Sequence, residues 1–452
     1  MRQGIVKKLK LRLDKDRTFL ISFISTAVSR GISGFGTIFL SFVLARQLGA
    51  ANYGRFMLAY SILMGLGIAS NFGMDQALLK YASILFHDKD KVTLRHLRKS
   101  VLIASTLISL FFALGLFTSK GILAEKLFGV ANFNTVLIVM AINVPFYANI
   151  LLQSTYLKAF KRPEIAPFVE IGLLAFLTGL FVITANFFGV DITPFSTSVI
   201  LLIATIVVLA IGQITLEFVL RKLKNEAARV RNNINGFFLS LPDFAISSIT
   251  TYLLNFSPGI ILGLYATPRD IGLYNIARNV SFLINFILAI INNVTAPYFA
   301  TYFKNKDMES LQNLARNSTL YMLLIATPAF LVVLCFPTQI LHIFGNAFTP
   351  AKNALILLSA AQLFNVLTGP IFFLLNMTGH QRYLRNNVML TAVITITCSI
   401  FFSKYWGYWG AAIATAIGLV LQNAFAYYHA NRLLGINLYG RYKRQVLNKK
   451  DK

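Results

Sequence analysis

The sequence predicts an all-α integral membrane protein of twelve transmembrane helices, arranged as two pseudo-symmetric six-helix bundles over residues 1–230 and 231–452. Three observations predict it. The chain is 56% hydrophobic and only 13% charged, with a mean hydropathy of +0.66, more apolar surface than a soluble fold of 452 residues could cover. A window of about 20 residues, the length that spans a bilayer, finds twelve apolar stretches. The second half of the chain also repeats features of the first.

The approximate limits of the crossings are 18–44, 54–79, 100–118, 134–157, 164–187, 197–220, 236–264, 272–300, 318–342, 351–377, 386–404 and 408–431. The first carries Arg30 near its middle, beside a stripe of Ser22, Thr26, Ser29, Ser33, Thr37 and Ser41 at three- and four-residue spacing. The fourth contributes Asn143, Pro145, Asn149 and Gln153. The seventh is interrupted by Pro242 and Pro258 and carries Asp243, Ser247, Thr250, Thr251 and Asn255. In the eighth, Arg278, Asn285 and Asn292 recur every seven residues and share one helical face, with Asn275, Asn279 and Asn293 nearby. The tenth contributes Gln362, Asn365, Thr368, Pro370 and Asn376. Proline frees backbone carbonyls and permits the bending that alternating access needs.

Lys and Arg set the orientation, because short loops rich in them stay in the cytoplasm. Of the 42 in the chain, 33 fall in the N-terminal segment, the even-numbered connections and the C-terminal tail. Both termini are therefore expected in the cytoplasm. The net charge of +26 follows from this distribution and from attraction to anionic lipid, so nucleic acid is not an expected partner. Residues 1–17 imitate the start of a signal peptide, but the following apolar run is too long and carries Arg30, which reads as a retained anchor. Cys335 and Cys398 fall inside crossings, with no sign of a disulfide framework or metal site.

The duplication is carried by the turn ARQLGAANYGRFMLAYS in the first half and GLYATPRDIGLYNIARN in the second. Aligning Gly54 on Gly272 also pairs Phe56 with Tyr274 and Ala59 with Ala277. Phe128-Gly129 precedes crossing four as Phe344-Gly345 precedes crossing ten. Six helices per half is an even number, so the halves share one topology about an axis along the membrane normal. Substrate is then expected at mid-membrane between them. The basic connector 221–235 is the hinge.

Arg30 is the most informative single residue. A guanidinium at mid-bilayer costs roughly 2.5–3.5 kcal/mol on insertion scales, so it should face a wet cavity or a partner. Its planar fork suits phosphate, and Arg30 and Arg278 at different depths could hand a diphosphate across the membrane. Arg46, Arg55 and Arg269 lie beyond, near the outer mouth. Asn285, Asn292, Gln362 and Asn365 are candidate sugar contacts, against the plain alternative that such amides hold helices together. Asp75, Glu170, Glu217 and Asp243 all lie toward the cytoplasmic ends of their spans. Asp75 and Asp243 are the candidates if an ion is coupled.

Motifs for chemistry are missing. No G-x-x-x-x-G-K-[ST] loop, H-E-x-x-H or paired C-x-x-C occurs, so neither a nucleotide nor a metal nor any other cofactor is expected, and the chain does not read as an enzyme. Asp88-Lys89-Asp90 resembles the D-x-D of sugar-nucleotide enzymes but reads as a solvated charge cluster.

The stretch FLSFVLARQLGAANYGRFMLAYSILMGLGIASNFGMDQALLKYAS resembles the opening of polysaccharide transporters. These are the Wzx-type lipid-linked oligosaccharide flippases of the multidrug/oligosaccharidyl-lipid/polysaccharide exporter superfamily. The shared elements are A-R-x-L-G, Y-G-x-F and a Gly-rich second crossing with a polar end. The resemblance implies twelve helices as two halves in a V, in a bacterial inner membrane. The cargo it implies is an undecaprenyl-diphosphate-linked oligosaccharide of O-antigen, capsule or related type. It further implies that Arg30 stands where related lipid II flippases place a first-helix arginine, with Arg278 its counterpart by position. Those lipid II flippases have two further helices. The partners implied are the lipid-linked oligosaccharide, membrane lipids, a polysaccharide polymerase and glycosyltransferases. The alternative is a cation-coupled multidrug antiporter, which shares the fold.

Overall fold

The computed structural model describes residues 2–88, 90–130, 132–160, 165, 166, 169, 172–222 and 235–439; the side chains of residues 1–30 and of a few other helical residues lie outside that description. All described secondary structure is helical. In chain order the helices are α1 (Arg2–Asn71), α2 (Met74–His87), α3 (Lys91–Gly121), α4 (Phe133–Ala159), α5 (Leu173–Phe187), α6 (Pro194–Lys222) and α7 (Asn235–Tyr265). Then come α8 (Pro268–Lys304), α9 (Met308–Cys335), α10 (Pro337–Phe344), α11 (Lys352–Leu367), α12 (Ile371–Met377) and α13 (Gln381–Leu434). A π-helical turn, Ile122–Leu127, extends α3, and a 3₁₀ segment, Asn346–Ala351, leads into α11.

At 1.5 Å per residue α1 would be roughly 105 Å long if straight, more than three times a hydrocarbon core of about 30 Å. It is divided at Gly49, whose φ of 69° and ψ of 172° are not helical. Its two arms carry the first expected crossing and most of the second. In the same way α13 carries the last two crossings on either side of Gly407, at φ 53° and ψ −133°. Side chains rarely adopt such dihedrals, so glycine is required at both turns.

Seven helices among the described residues are long and apolar enough to cross a membrane, and the bent pair formed by the 3₁₀ segment with α11 and α12 makes an eighth. The asparagines of α8 and the 15 residues described for α5 hold those two below the same threshold. Three expected boundaries shift. Crossing two is broken at Phe72-Gly73, both at positive φ, so its end belongs to α2. Crossing nine ends at Cys335, because Pro337 cannot donate to the α9 ladder and instead opens α10. Crossing ten bends by 43° where Gly369 and Pro370 separate α11 from α12.

On α3 the outward side chains Leu107, Phe111 and Leu114 are 62%, 73% and 63% exposed. An apolar ridge of this kind is suited to acyl chains and not to water. Inside, hydroxyls bond back onto their own helices: Thr37 donates to Ser33 O (3.1 Å) and Ser41 to Thr37 O (3.0 Å). The main apolar core runs from Leu40 on α1 to Ala412 on α13 and includes Tyr53, Phe56, Tyr147 and Tyr274, all essentially inaccessible, and a second cluster around Phe299, Leu311 and Leu374 lies apart from it.

The two sequence halves meet along a seam of α1 and α2 against α7 and α8. Several of its contacts set an aromatic ring on a glycine. The Phe286 ring lies over Gly34, Tyr252 over Gly65 and Tyr81 over Gly236. Gly54 packs on Pro268 and Gly272, and a Cβ there would run into Pro268 O and come within 2.7 Å of Gly272 N. Arg46 closes the same end of the seam: its Nε donates to Ile343 O (2.7 Å) and its Nη2 to His342 O (3.3 Å), the terminal carbonyls of α10.

Candidate functional site

α8 presents a different side chain to each neighbour along this seam. Its start is fixed by a capping box, in which Thr267 Oγ1 accepts from the Asp270 backbone N–H (3.3 Å) and Asp270 Oδ2 accepts from the Thr267 backbone N–H (3.1 Å). About two and a half turns after Asp270, Asn279 Nδ2 donates to Ser41 Oγ (3.1 Å) and Tyr53 Oη (3.4 Å), which joins the eighth crossing to the polar stripe of the first.

Arg278 is half-buried beside it. Its guanidinium carbon lies 4.5 Å from the centroid of Phe256 on α7, a cation–π distance. The charge acts on three surrounding phenols, Tyr53, Tyr252 and Tyr274. Tyr252 is itself fixed by donating to Ser61 O at 2.5 Å. Among the described residues the Arg278 side chain makes no ion pair and no hydrogen bond. The arrangement is a half-buried cation on an aromatic shelf, without an acid to neutralise it among the described residues.

Seven residues along, roughly 10 Å at 1.5 Å per residue, Asn285 Oδ1 accepts from Asn365 Nδ2 of α11 (2.9 Å). Thr368 Oγ1 extends the cluster, donating to Asn365 O (2.8 Å) and Asn423 Oδ1 (3.3 Å). Gln362 Oε1, one turn before Asn365, and Asn292 Oδ1, two turns beyond Asn285, are buried with no hydrogen-bond partner among the described residues. The structure thus joins Asn285 to Asn365 directly, and leaves Asn292 and Gln362 with free acceptors.

Arg30 lies in helical backbone of α1, but its side chain falls outside the described residues, as does Glu170. The stripe around Arg30 divides. Ser41 faces α8, whereas Ser33 packs on Gly172 ahead of α5. The expected outer ladder of free cations does not form as a row, since Arg46 is bound to α10 carbonyls and Arg55 Nη1 donates to Asn52 Oδ1 (3.1 Å).

The two candidate coupling acids occupy different settings. Asp75 sits in the first turn of α2, just after the break, where the helix dipole favours a carboxylate. Its Oδ2 accepts from Ser248 Oγ of α7 at 3.4 Å, and its Oδ1 is buried without a partner. Asp243 is exposed and lies 3.6 Å from Arg385 Nη1 of α13. Glu217 is bound to Arg98 at 2.8 Å. Sequence reasoning named Asn279 only as a neighbour of the Arg278 face and missed Phe256 and Tyr252. The seven-residue spacing selected the face of Arg278 and passed over Asn279, which points about 100° away toward α1; the ring contacts carry no polar pattern to read.

The profile of the family described as Polysaccharide biosynthesis protein matches residues 19–303, and that of MatE matches residues 244–402. A probable low-salt glycan biosynthesis flippase, Agl15, of Haloferax volcanii is 22% identical over 94% of this chain and 85% of its own length. An uncharacterized membrane protein of Methanocaldococcus jannaschii is 22% identical over 90% of this chain and 81% of its own. Among solved structures, an inward-facing multidrug resistance MATE family transporter of the MOP superfamily superposes with a TM-score of 0.72 at 13% identity, over 90% of this chain and 98% of that one. The lipid II flippase MurJ, in an inward closed conformation, gives 0.69 at 14% identity over 91% and 87%. The fold is therefore the all-α membrane fold of the MOP superfamily, and the chain is a multi-pass membrane protein. With more than half its length matched by one family profile, it belongs to the polysaccharide biosynthesis protein family, the polysaccharide flippase branch of that superfamily.

Proposed function

We propose that this protein moves an undecaprenyl-diphosphate-linked oligosaccharide, of O-antigen, capsule or related type, from the cytoplasmic to the outer leaflet of a bacterial inner membrane. Twelve helices in two six-helix units, residues 1–230 and 231–452, rock about the seam, with both termini in the cytoplasm. No covalent step is needed. A polymerase and glycosyltransferases act before and after it.

The observation that carries this reading is Arg278: a half-buried guanidinium in the seam, resting on Phe256, with no acidic partner among the described residues. A cation so held is available for charge-assisted bonds to phosphate oxygens. Arg30 supplies the second cation at a different depth. Asn285, Asn292, Gln362 and Asn365 offer amides to the sugar, with the unpartnered oxygens of Asn292 and Gln362 as acceptors for its hydroxyls. The polyprenyl chain trails in lipid.

One observation favours a second reading, a cation-coupled multidrug antiporter: the buried, unpartnered Asp75 Oδ1 at a helix break. The two separate in a deletion strain. The flippase reading expects lipid-linked oligosaccharide to accumulate in the inner leaflet, with rescue by wild type, partial rescue by Arg278→Lys and none by Arg278→Ala at equal expression. An altered drug-resistance spectrum with normal surface glycan would establish the antiporter instead.

A further inference from the structure

A second polar cavity, of about 440 Å³, lies away from the seam where three connections of the first half converge. It is lined by Asn52 and Arg55 of α1, by Asn132 and Thr135 at the start of α4, and by Thr193 ahead of α6, with apolar walls from Phe133, Val136 and Phe195. None of its lining residues is acidic. Nothing in the flippase reading uses it.

Arg55 is half-buried and makes one side-chain hydrogen bond, from Nη1 to Asn52 Oδ1. That bond holds the planar group in place. Its Nε is buried and has no partner, and no ion pair neutralises the charge among the described residues. A buried cation is normally paired, because desolvation without a counter-charge is costly. The missing counter-charge belongs in the cavity that the guanidinium lines.

The same cavity meets the start of α4, a 27-residue helix whose N-cap, Asn132, is in the left-handed conformation and makes no side-chain cap. The N–H of Phe133 is taken by Val130 O (3.3 Å), but no side chain caps the N–H groups that follow it, and the start of α4 adds its dipole to the charge of Arg55. The start of α6 is different, because Thr193 Oγ1 accepts from Ser196 N (3.2 Å) and Ser196 Oγ from Thr193 N (2.8 Å). The carboxylates in these connections, Glu125, which accepts from Asn134 Nδ2 (3.3 Å), and Asp191, are not among the residues that line the cavity.

We propose that this cavity binds a phosphate-type oxyanion, held by the Arg55 guanidinium, the Asn132 side-chain amide and the first turn of α4, with the Thr135 hydroxyl committed to Asn132 O (2.9 Å). On the topology proposed above it opens on the outer face, where a phosphate arrives on a lipid headgroup or free in solution. The site itself does not depend on that topology.

The test uses the purified full-length protein in phosphatidylcholine nanodiscs. One arm titrates inorganic phosphate and reads the melting temperature. The other measures by native mass spectrometry the retention of phosphatidylglycerol over phosphatidylcholine. Phosphate stabilisation identifies a free-ion site, and selective phosphatidylglycerol retention without it identifies a headgroup site. In either arm Arg55→Gln and Asn132→Asp weaken binding about tenfold, the loss carried by one charge-assisted hydrogen bond, and Arg55→Lys falls between. Should Arg55→Gln not elute as a folded species, Asn132→Asp decides, since it leaves Arg55 in place and adds a repelling charge. The proposal is overturned if wild type binds neither ligand, or if the folded variants bind as wild type does. Both readouts are independent of transport, so they stand or fall apart from the flippase reading.

Discussion

Gly54 and Gly272, the residues that align the two halves of the sequence, touch each other in the fold. A Cβ on Gly272 would run into Ala50 O and lie 3.4 Å from Gly54 N, and one on Gly54 would meet Pro268 O and Gly272 N. Two positions related by an internal repeat meet where an axis relating the halves would pass. The close approach also explains why both are glycine, since the second arm of α1 and the start of α8 cross backbone to backbone.

Gly54→Ala or Gly272→Ala is therefore expected to force the crossing apart. Overpacking of this kind costs about 1–3 kcal/mol, and here the obstacle is backbone, which cannot rotate away. Thermal unfolding of each purified variant should show a lowered midpoint. Unchanged melting for both would mean that the crossing is looser than described.

The Asn285–Asn365 bond joins α8 to α11 across 2.9 Å. A double-mutant cycle with alanine at each position should return a coupling of about 0.6 kcal/mol, and at most about 1.7, as for other interhelical hydrogen bonds in membranes. A coupling of zero would indicate that the pair parts in the prevailing conformation.

Arg46 ties α1 to the end of α10 through two carbonyls. Its replacement by alanine should weaken closure at this end by about 1 kcal/mol, a roughly fivefold shift in population. Spin-label distances between α1 and α10 should broaden toward longer values. A distribution identical to wild type would leave Arg46 without a role in closure.

Asp90 caps α3: its Oδ1 accepts from Thr93 N at 3.0 Å, and the residue is 3% exposed. Asp90→Ala should cost about 1 kcal/mol of stability and Asp90→Asn little, as read by thermal unfolding, with glycan export unaffected by the Asn variant. Loss of export in a fully stable Asp90→Asn protein would revive the D-x-D reading of this loop.

Much of the architecture was legible because most of the expected crossings announce themselves by length and apolarity. The breaks were less so. Pro337, Gly369 and Pro370 sit inside runs that are apolar throughout, and hydropathy registers polarity, not the loss of one backbone donor. At the seam, the spacing of Arg278, Asn285 and Asn292 predicted a shared face, and Asn285 does meet Asn365, which was chosen separately. The role of Phe256 beneath Arg278 could not be read, because one phenylalanine of 40 has no distinguishing pattern. Asp243, read from the sequence as lying toward the cytoplasmic end of its span, is exposed there and lies 3.6 Å from Arg385, a partner that its position in the sequence does not indicate.

Where Phe286 rests on Gly34 and Tyr252 on Gly65, a flat ring meets bare main chain in place of interlocked side chains. Such surfaces part without any rotamer having to change first. Beside the hydrogen bond from Tyr252 to Ser61 O, the resistance to opening at these contacts comes from dispersion, which fades gradually as the faces lift, instead of from a steric lock that must be released all at once. A transporter built this way can yield to a bulky, irregular cargo by degrees, stopping wherever the cargo fits.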